Sequence, residues 1–418
     1  MNMNRNEVPE LKQIEHISIV APQISSGFPI PFYFMKEVPN ATSRIELYFD
    51  AGTLNGKVGL ASAVSGLLLS GTDKWNSTQI HTELDNLGAY TDVSIGHESV
   101  IVTLYGLKEK LVEITSLFVE SLTNVDFKQK EIAELIADRK QKLKINLEKV
   151  SFLAQREFTK NLFFNSPYNR VVEEKDYDAI SREEIVDFHK DKYLKGLFTV
   201  VLVGDFSESE LVKFEDLLGP LCVSQLPKFT DSIENKVGYV KVTKEGALQA
   251  AIRIGKILFT RKHPDFIPFT ILNTVLGEYF GSRLMSNLRE DKGYTYGVNS
   301  MVSEYQNIGY FLIATDVAAE HVDSALKEIR FEIEKLQTEL IEQEELDLVK
   351  NYLLGQLLKS ADGPYAMTDL YVHLQSFGLE VDYYNRYIHE INEITSEELQ
   401  DCAKKYLNWD DLTIVTAG

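Results

Sequence analysis

Cysteine is nearly missing. The 418 residues hold two, Cys222 and Cys402, far apart and with no second thiol near either, so the chain carries no disulfide framework and no C-x-x-C metal knuckle. Long apolar runs are missing too: no stretch reaches about 18 uninterrupted apolar residues, which argues against a membrane-spanning helix. The start, MNMNRNEVPELKQIEHISIV, lacks the basic segment and apolar run of a secretory leader. A cytoplasmic protein is the expectation, or a periplasmic one if a leader has been removed. Positive charge is in deficit, with 43 Lys and Arg against 63 Asp and Glu and a net charge of -20, which argues against a nucleic-acid surface and favours neutral or basic partners.

Self-contained catalytic motifs are absent as well. There is no G-x-S-x-G elbow, no cysteine-nucleophile signature and no G-x-x-x-x-G-K-[ST] phosphate loop. The eight histidines never fall four apart, and the nearest groupings, His97 with Glu98 and His81 with Asp85, read as surface or internally satisfied histidines. These absences point away from a self-sufficient enzyme.

What is present is ordinary globular material, 44% hydrophobic and 25% charged, long enough for about two to four domains. It contains a long-range repeat. Ile180-Ser-Arg-Glu-Glu-Ile-Val-Asp aligns with Ile394-Thr-Ser-Glu-Glu-Leu-Gln-Asp, and FTVVLVG (198–204) aligns with LTIVTAG (412–418) at the same spacing. Ser181 with Glu184 and Thr395 with Glu398 are helix-starting capping boxes, so each copy ends in a capped helix followed by a β-branched strand.

The same coarse pattern precedes each copy's final unit. Strands are predicted at FPIPFYFMK, SRIELYFDAG, AYTDVSIG and ESVIVTLYG in the first copy, and at YVKVTK, QAAIRIGKIL, YTYGVNSMVSEY and GYFLIATDV in the second, with helices between and after them. The fold class is α+β: two homologous α/β sandwich-like halves, each a mainly antiparallel sheet with helices packed on one face. The polar VSQLPKFTDSIENK places a linker at 223–236, between an N-terminal domain (1–222) and a C-terminal one (237–418).

The stretch GLASAVSGLLLSGT (59–72) reads as an apolar helix with small residues where larger ones would fit. It resembles the G-L-A-H-x-x-E-H-x-x-x-x-G-T motif of the pitrilysin, insulinase and mitochondrial processing peptidase family, the inverzincins, with Gly59, Leu60, Ala61, Gly71 and Thr72 at matching positions. Ser62 and Gly66 stand where that family's two zinc histidines stand, and Ser65 where its catalytic glutamate stands. DAG (50–52), ELDNLGAYTDVSIGHES (83–99) and LFFNSPYNR (162–170) follow the family pattern around it. A gapped count puts the remaining zinc ligand near Gln141 and Lys142, in a basic segment.

The second half is similar to the family over GEYFGSRLMSNLREDKGYTYGV (277–298), through Gly281, Ser282, Arg283, Leu284, Arg289, Glu290, Gly293, Tyr296 and Val298. The resemblance implies that Arg289 and Tyr296 reach toward a scissile carbonyl, where a guanidinium and a phenol can meet developing negative charge. Gly293 reads as a helix cap.

By the same resemblance, a peptide would add as a strand along Tyr90–Ile95. There the family's N-A-x-T has become Asp92-Val93-Ser94-Ile95, so Asp92, Val93 and Ser94 are the candidate substrate contacts on an altered edge. The resemblance thus implies the non-zinc subunit of a heterodimeric zinc metallopeptidase. It implies no cofactor in this chain, zinc in a homologous partner, and a peptide or unfolded polypeptide as substrate; the acidic charge and the lack of long apolar runs leave neither nucleic acid nor membrane as an expected partner. The alternative is a structural, core-subunit-like protein that contributes nothing to catalysis.

Overall fold

The computed structural model describes residues 14–36, 41–223, 225 and 233–418; most of the predicted linker, 224 and 226–232, lies outside the described residues. The first half opens with β1 (Gln23–Ile24), β2 (Phe32–Met35) and β3 (Thr42–Phe49), followed by α1 (Leu60–Ser65) and α2 (Ser77–Asn86). The hairpin β4 (Tyr90–Ile95) and β5 (Val100–Leu107) leads into α3 (Leu111–Thr123), α4 (Gln129–Leu147), α5 (Val150–Leu162) and α6 (Glu174–Asp178). It closes with α7 (Arg182–Lys192), β6 (Leu197–Val203) and α8 (Glu208–Leu218).

The second half runs β7 (Gly238–Val242), β8 (Gln249–Leu258), α9 (Phe266–Asn273), β9 (Thr295–Glu304) and β10 (Gly309–Ala318). Five helices follow: α10 (Val322–Thr338), α11 (Gln343–Ser360), α12 (Gly363–Ser376), α13 (Tyr383–Glu393) and α14 (Ser396–Tyr406). The described chain ends in β11 (Thr413–Ala417).

Strand order is β1-β2-β6-β3-β5-β4 in one sheet and β7-β11-β8-β10-β9 in the other. In each, the late strand (β6 or β11) pairs in parallel with an early one (β2 or β7) and antiparallel with the next (β3 or β8). Apart from β1, the second sheet repeats the first strand for strand. The capped helices match too: the Ser181 and Thr395 hydroxyls accept from the backbone N–H of Glu184 and Glu398 at 3.2 and 3.3 Å, and both helices run 11 residues.

Period-two alternation sorts each strand between two faces. Ile45, Leu47 and Phe49 enter the core beneath the first sheet with Val100, Val102 and Leu104, while Ile252, Ile254, Phe311 and Ile313 do the same in the second. The other face of each sheet is covered by a helix from the opposite half. Phe158 and Leu162 of α5 pack with Leu312 and Val415, and Ala154 packs with Ala251 and Ala417. In return, α12 sets Val372, Tyr365 and Tyr371 against Tyr33, Met35, Val201 and Val203.

Polar contacts lock this exchange. Arg44, 4% exposed on the outer face of β3, donates to Asp369 of α12, and the Tyr365 hydroxyl donates to the Thr42 carbonyl at 2.6 Å. Glu98 accepts from the Tyr168 hydroxyl at 2.6 Å and from the Gln306 backbone N–H at 3.0 Å, tying the β4–β5 turn to the β9–β10 turn. Beside it, His97 bonds Thr53 at 3.0 Å and packs against Tyr168 and Tyr305, and burial lowers its pKa, so it is internally satisfied as the sequence suggested.

His189 is buried where α7 meets the end of α3, with Nε2 2.9 Å from the Leu122 carbonyl. Burial pulls its pKa down to about 4 despite that hydrogen bond, with nearby Lys190 adding to the shift. The unfolded chain, with an ordinary histidine near 6.5, therefore binds the proton first as pH falls. This contribution to stability is present above about pH 6.5 and is lost as pH drops toward 4. At pH 5 the loss is on the order of 2 kcal/mol, and urea titrations of wild type and His189→Gln at pH 7 and 5 should show the variant less sensitive to pH.

Candidate functional site

The opening motif folds as α1, entered through Gly59 at φ 85, a left-handed conformation that suits glycine. Both of its serine hydroxyls are hydrogen-bonded. The Ser62 hydroxyl donates to the Gly59 carbonyl at 2.9 Å. Ser65, buried, donates to the Ala61 carbonyl at 2.7 Å, which leaves its oxygen to accept from the Tyr193 hydroxyl at 2.7 Å. Burial raises the Tyr193 pKa further above that of an ordinary phenol.

At Gly66, an added Cβ would lie 3.0 Å from Leu135 Cδ1 and 3.2 Å from Arg139 Nη2. These residues do not fit a zinc ion. Gly66 brings no donor, the Ser65 hydroxyl is committed, and the α4 residues nearest Gly66 are Leu135 and Arg139, whose guanidinium would repel a cation. Gln141 and Lys142 are exposed on α4, Lys142 pairing with Asp138 at 2.8 Å, so Leu135 and Arg139 occupy the approach that the gapped count gave to those two. Ser65→Ala would strand the Tyr193 hydroxyl and should cost about 1–3 kcal/mol in denaturant unfolding, with Ser65→Ala/Tyr193→Phe recovering part of it.

Strand β4 forms the outer edge of the first sheet and pairs only with β5 among the described residues, Asp92 opposite Thr103. Asp92 and Ser94 are exposed, while Val93 and Ile95 lean on the core. Between this edge, α1 and α4 runs a cleft of about 500 Å³ whose α4 wall carries Glu131, Glu134 and Asp138.

In the second half the chain leaves α9 through two π-wound segments, 274–278 and 285–291, closed by an i→i−5 bond from the Lys292 N–H to the Asn287 carbonyl. Gly277 lets the first segment press against β9, since a Cβ there would stand 2.6 Å from Ser300 Oγ. Gly293 turns the chain at φ 65 into β9. The two arginines of the motif diverge. Arg283 is spent on Glu345 through two bonds of 2.8 and 2.7 Å, whereas Arg289 stacks its guanidinium over the Phe280 ring at 4.6 Å. Phe280 is 63% exposed, and Tyr296, at the start of the edge strand β9, is 94% exposed. Neither Arg289 nor the Tyr296 hydroxyl makes a hydrogen bond or ion pair among the described residues. The π winding carried no sequence signal beyond the cap at Gly293.

Comparison with known proteins matches most of the chain to one family. Residues 34–172 match the insulinase (peptidase family M16) profile, and residues 179–353 match the peptidase M16 inactive domain. A Helicobacter pylori protein named "Non-peptidase homolog YmxG" is 26% identical over 389 residues, covering 87% of this chain and 85% of that one. The human mitochondrial-processing peptidase subunit beta is 21% identical over 398 residues, 88% of this chain and 78% of that subunit. The crystal structure of a peptidase M16 inactive domain from Pseudomonas fluorescens shares the fold with a TM-score of 0.85 at 24% identity, covering 96% of this chain and 98% of that one. With two profiles of one family matched between residues 34 and 353, and with a first motif whose residues do not fit the metal, the chain belongs to the insulinase family of peptidases, M16, and resembles its inactive members.

Proposed function

We propose that this protein is the non-zinc subunit of a two-chain peptidase and that Arg289 and Tyr296 complete a hydrolytic centre carried by a homologous partner. The observation that carries the reading is the pair's lack of polar partners: a tyrosine 94% open to solvent and a half-buried arginine stacked on an aromatic ring, on a loop whose other arginine is ion-paired to Glu345. Structural arginines and tyrosines normally find partners, so donors held out on a shaped loop suit an acceptor from another chain.

In this reading, attack on a peptide bond builds negative charge on the carbonyl oxygen. Arg289 and Tyr296 donate hydrogen bonds to that oxygen, and Phe280 holds the guanidinium in place. The partner supplies the metal, the attacking water and the general base. The chamber between the chains admits peptides or unfolded segments. The altered edge Asp92-Val93-Ser94 of this chain leaves strand-like substrate binding to the partner.

The first test is assembly. Co-expression with a homologous chain carrying H-x-x-E-H should give a 1:1 complex that hydrolyses peptides, with this chain inactive alone. Full activity of the zinc-bearing chain without this one would sink the reading.

A further inference from the structure

The second half holds a cavity of about 420 Å³ that the proposed reaction does not use. It opens among β9, α9, α11, α12 and α13, and its walls are aromatic: Tyr352, Tyr383, Tyr384 and Tyr387 line it together with Phe266. Arg261, Glu304 and Glu278 bring charge to it.

Arg261 is committed. Its Nε and Nη2 donate to Glu304 at 2.9 and 2.6 Å, and its guanidinium lies 5.0 Å from the Phe377 ring centre. Arg261 and Glu304 form an ion pair, and Glu278 is the other carboxylate of the lining. Glu278 is exposed at the mouth, and its loop fixes it: one carboxylate oxygen accepts from Thr274 Oγ1 at 2.7 Å and from Asn273 Nδ2 at 3.2 Å.

Tyr383 supplies an independent observation. It is 5% exposed, and its buried hydroxyl has no hydrogen-bond partner among the described residues. A buried hydroxyl left unpaired is costly, and the residue that carries this one lines the cavity.

We infer that this cavity binds a compact organic cation, the ammonium or guanidinium end of an amine or of a basic side chain. Tyrosine faces attract such a group, the Glu278 carboxylate neutralises it, and the Tyr383 oxygen accepts one of its N–H bonds. The volume lies within the usual range for small-ligand sites.

The test is calorimetric titration of the whole chain with N-acetyl-L-arginine amide, with agmatine, and with the neutral N-acetyl-L-norvaline amide. Saturable binding of a cation and none of norvaline amide is expected. Binding of the arginine amide identifies a peptide side chain as the source, and binding of agmatine alone identifies a free amine. Glu278→Gln and Tyr383→Phe should each weaken binding roughly tenfold. Tyr383→Phe should still unfold at or above the wild-type midpoint, because it removes an unpaired hydroxyl. The inference is overturned if neither cation saturates, if norvaline amide binds equally well, or if both variants bind like wild type. Arg289→Ala should retain the binding, and its loss would place the cation elsewhere.

Discussion

Arg289→Ala and Tyr296→Phe are each expected to lower kcat of the reconstituted pair by about 10²- to 10³-fold, the usual cost of one oxyanion donor. Neither side chain makes a hydrogen bond or ion pair among the described residues, so neither change should move the stability by more than about 0.5 kcal/mol. That split between activity and stability separates a catalytic role from a structural one. KM should change little, because the donors act on charge that develops only in the transition state. Peptide hydrolysis by the complex at wild-type rate in both variants would establish the alternative, a subunit that serves assembly alone.

Phe158→Ala should be among the most destabilising single changes, at about 3–5 kcal/mol. The ring is 1% exposed and belongs to α5 of the first half, yet it is buried against the second sheet, and a Cβ added at Gly255 would come within 2.9 Å of its Cζ. Urea unfolding should remain a single transition shifted to lower denaturant, because the lost contacts join the two halves. Two separated transitions would show that the halves are stabilised independently.

The strands and the repeat were legible because alternation and capping are local. QAAIRIGKIL forms a strand over its whole length, and Ser181 and Thr395 cap as their spacing indicates. Helix α2 is only weakly signalled although Asn76 and Gln79 form a capping box, because only Ile80 and Leu84 are buried along it and its apolar face is thin. The destination of α5 was not legible: an amphipathic pattern says that a face is buried, not against which sheet. Arg44 reads as one more strand residue, and its partner Asp369 lies 325 positions away. At the first motif the exchanged residues were visible in sequence, but not the hydroxyl contact between Ser65 and Tyr193, which 128 positions separate. The facing α4 residue escaped the gapped count because an uninterrupted helix offers no landmark from which to count.

The exchange of α5 and α12 bears on how such a chain can be divided or inherited. Each half keeps the outer cover of the other, so neither is a complete folding unit, and severing the chain between 222 and 233 would leave two fragments with a bare sheet face each. Expressed apart they should aggregate; expressed together they should find one another and rebuild the native molecule without the connecting segment. Duplication of an ancestral half would have produced two mutually dependent pieces rather than two spare copies, which leaves one motif free to change while the whole continues to fold.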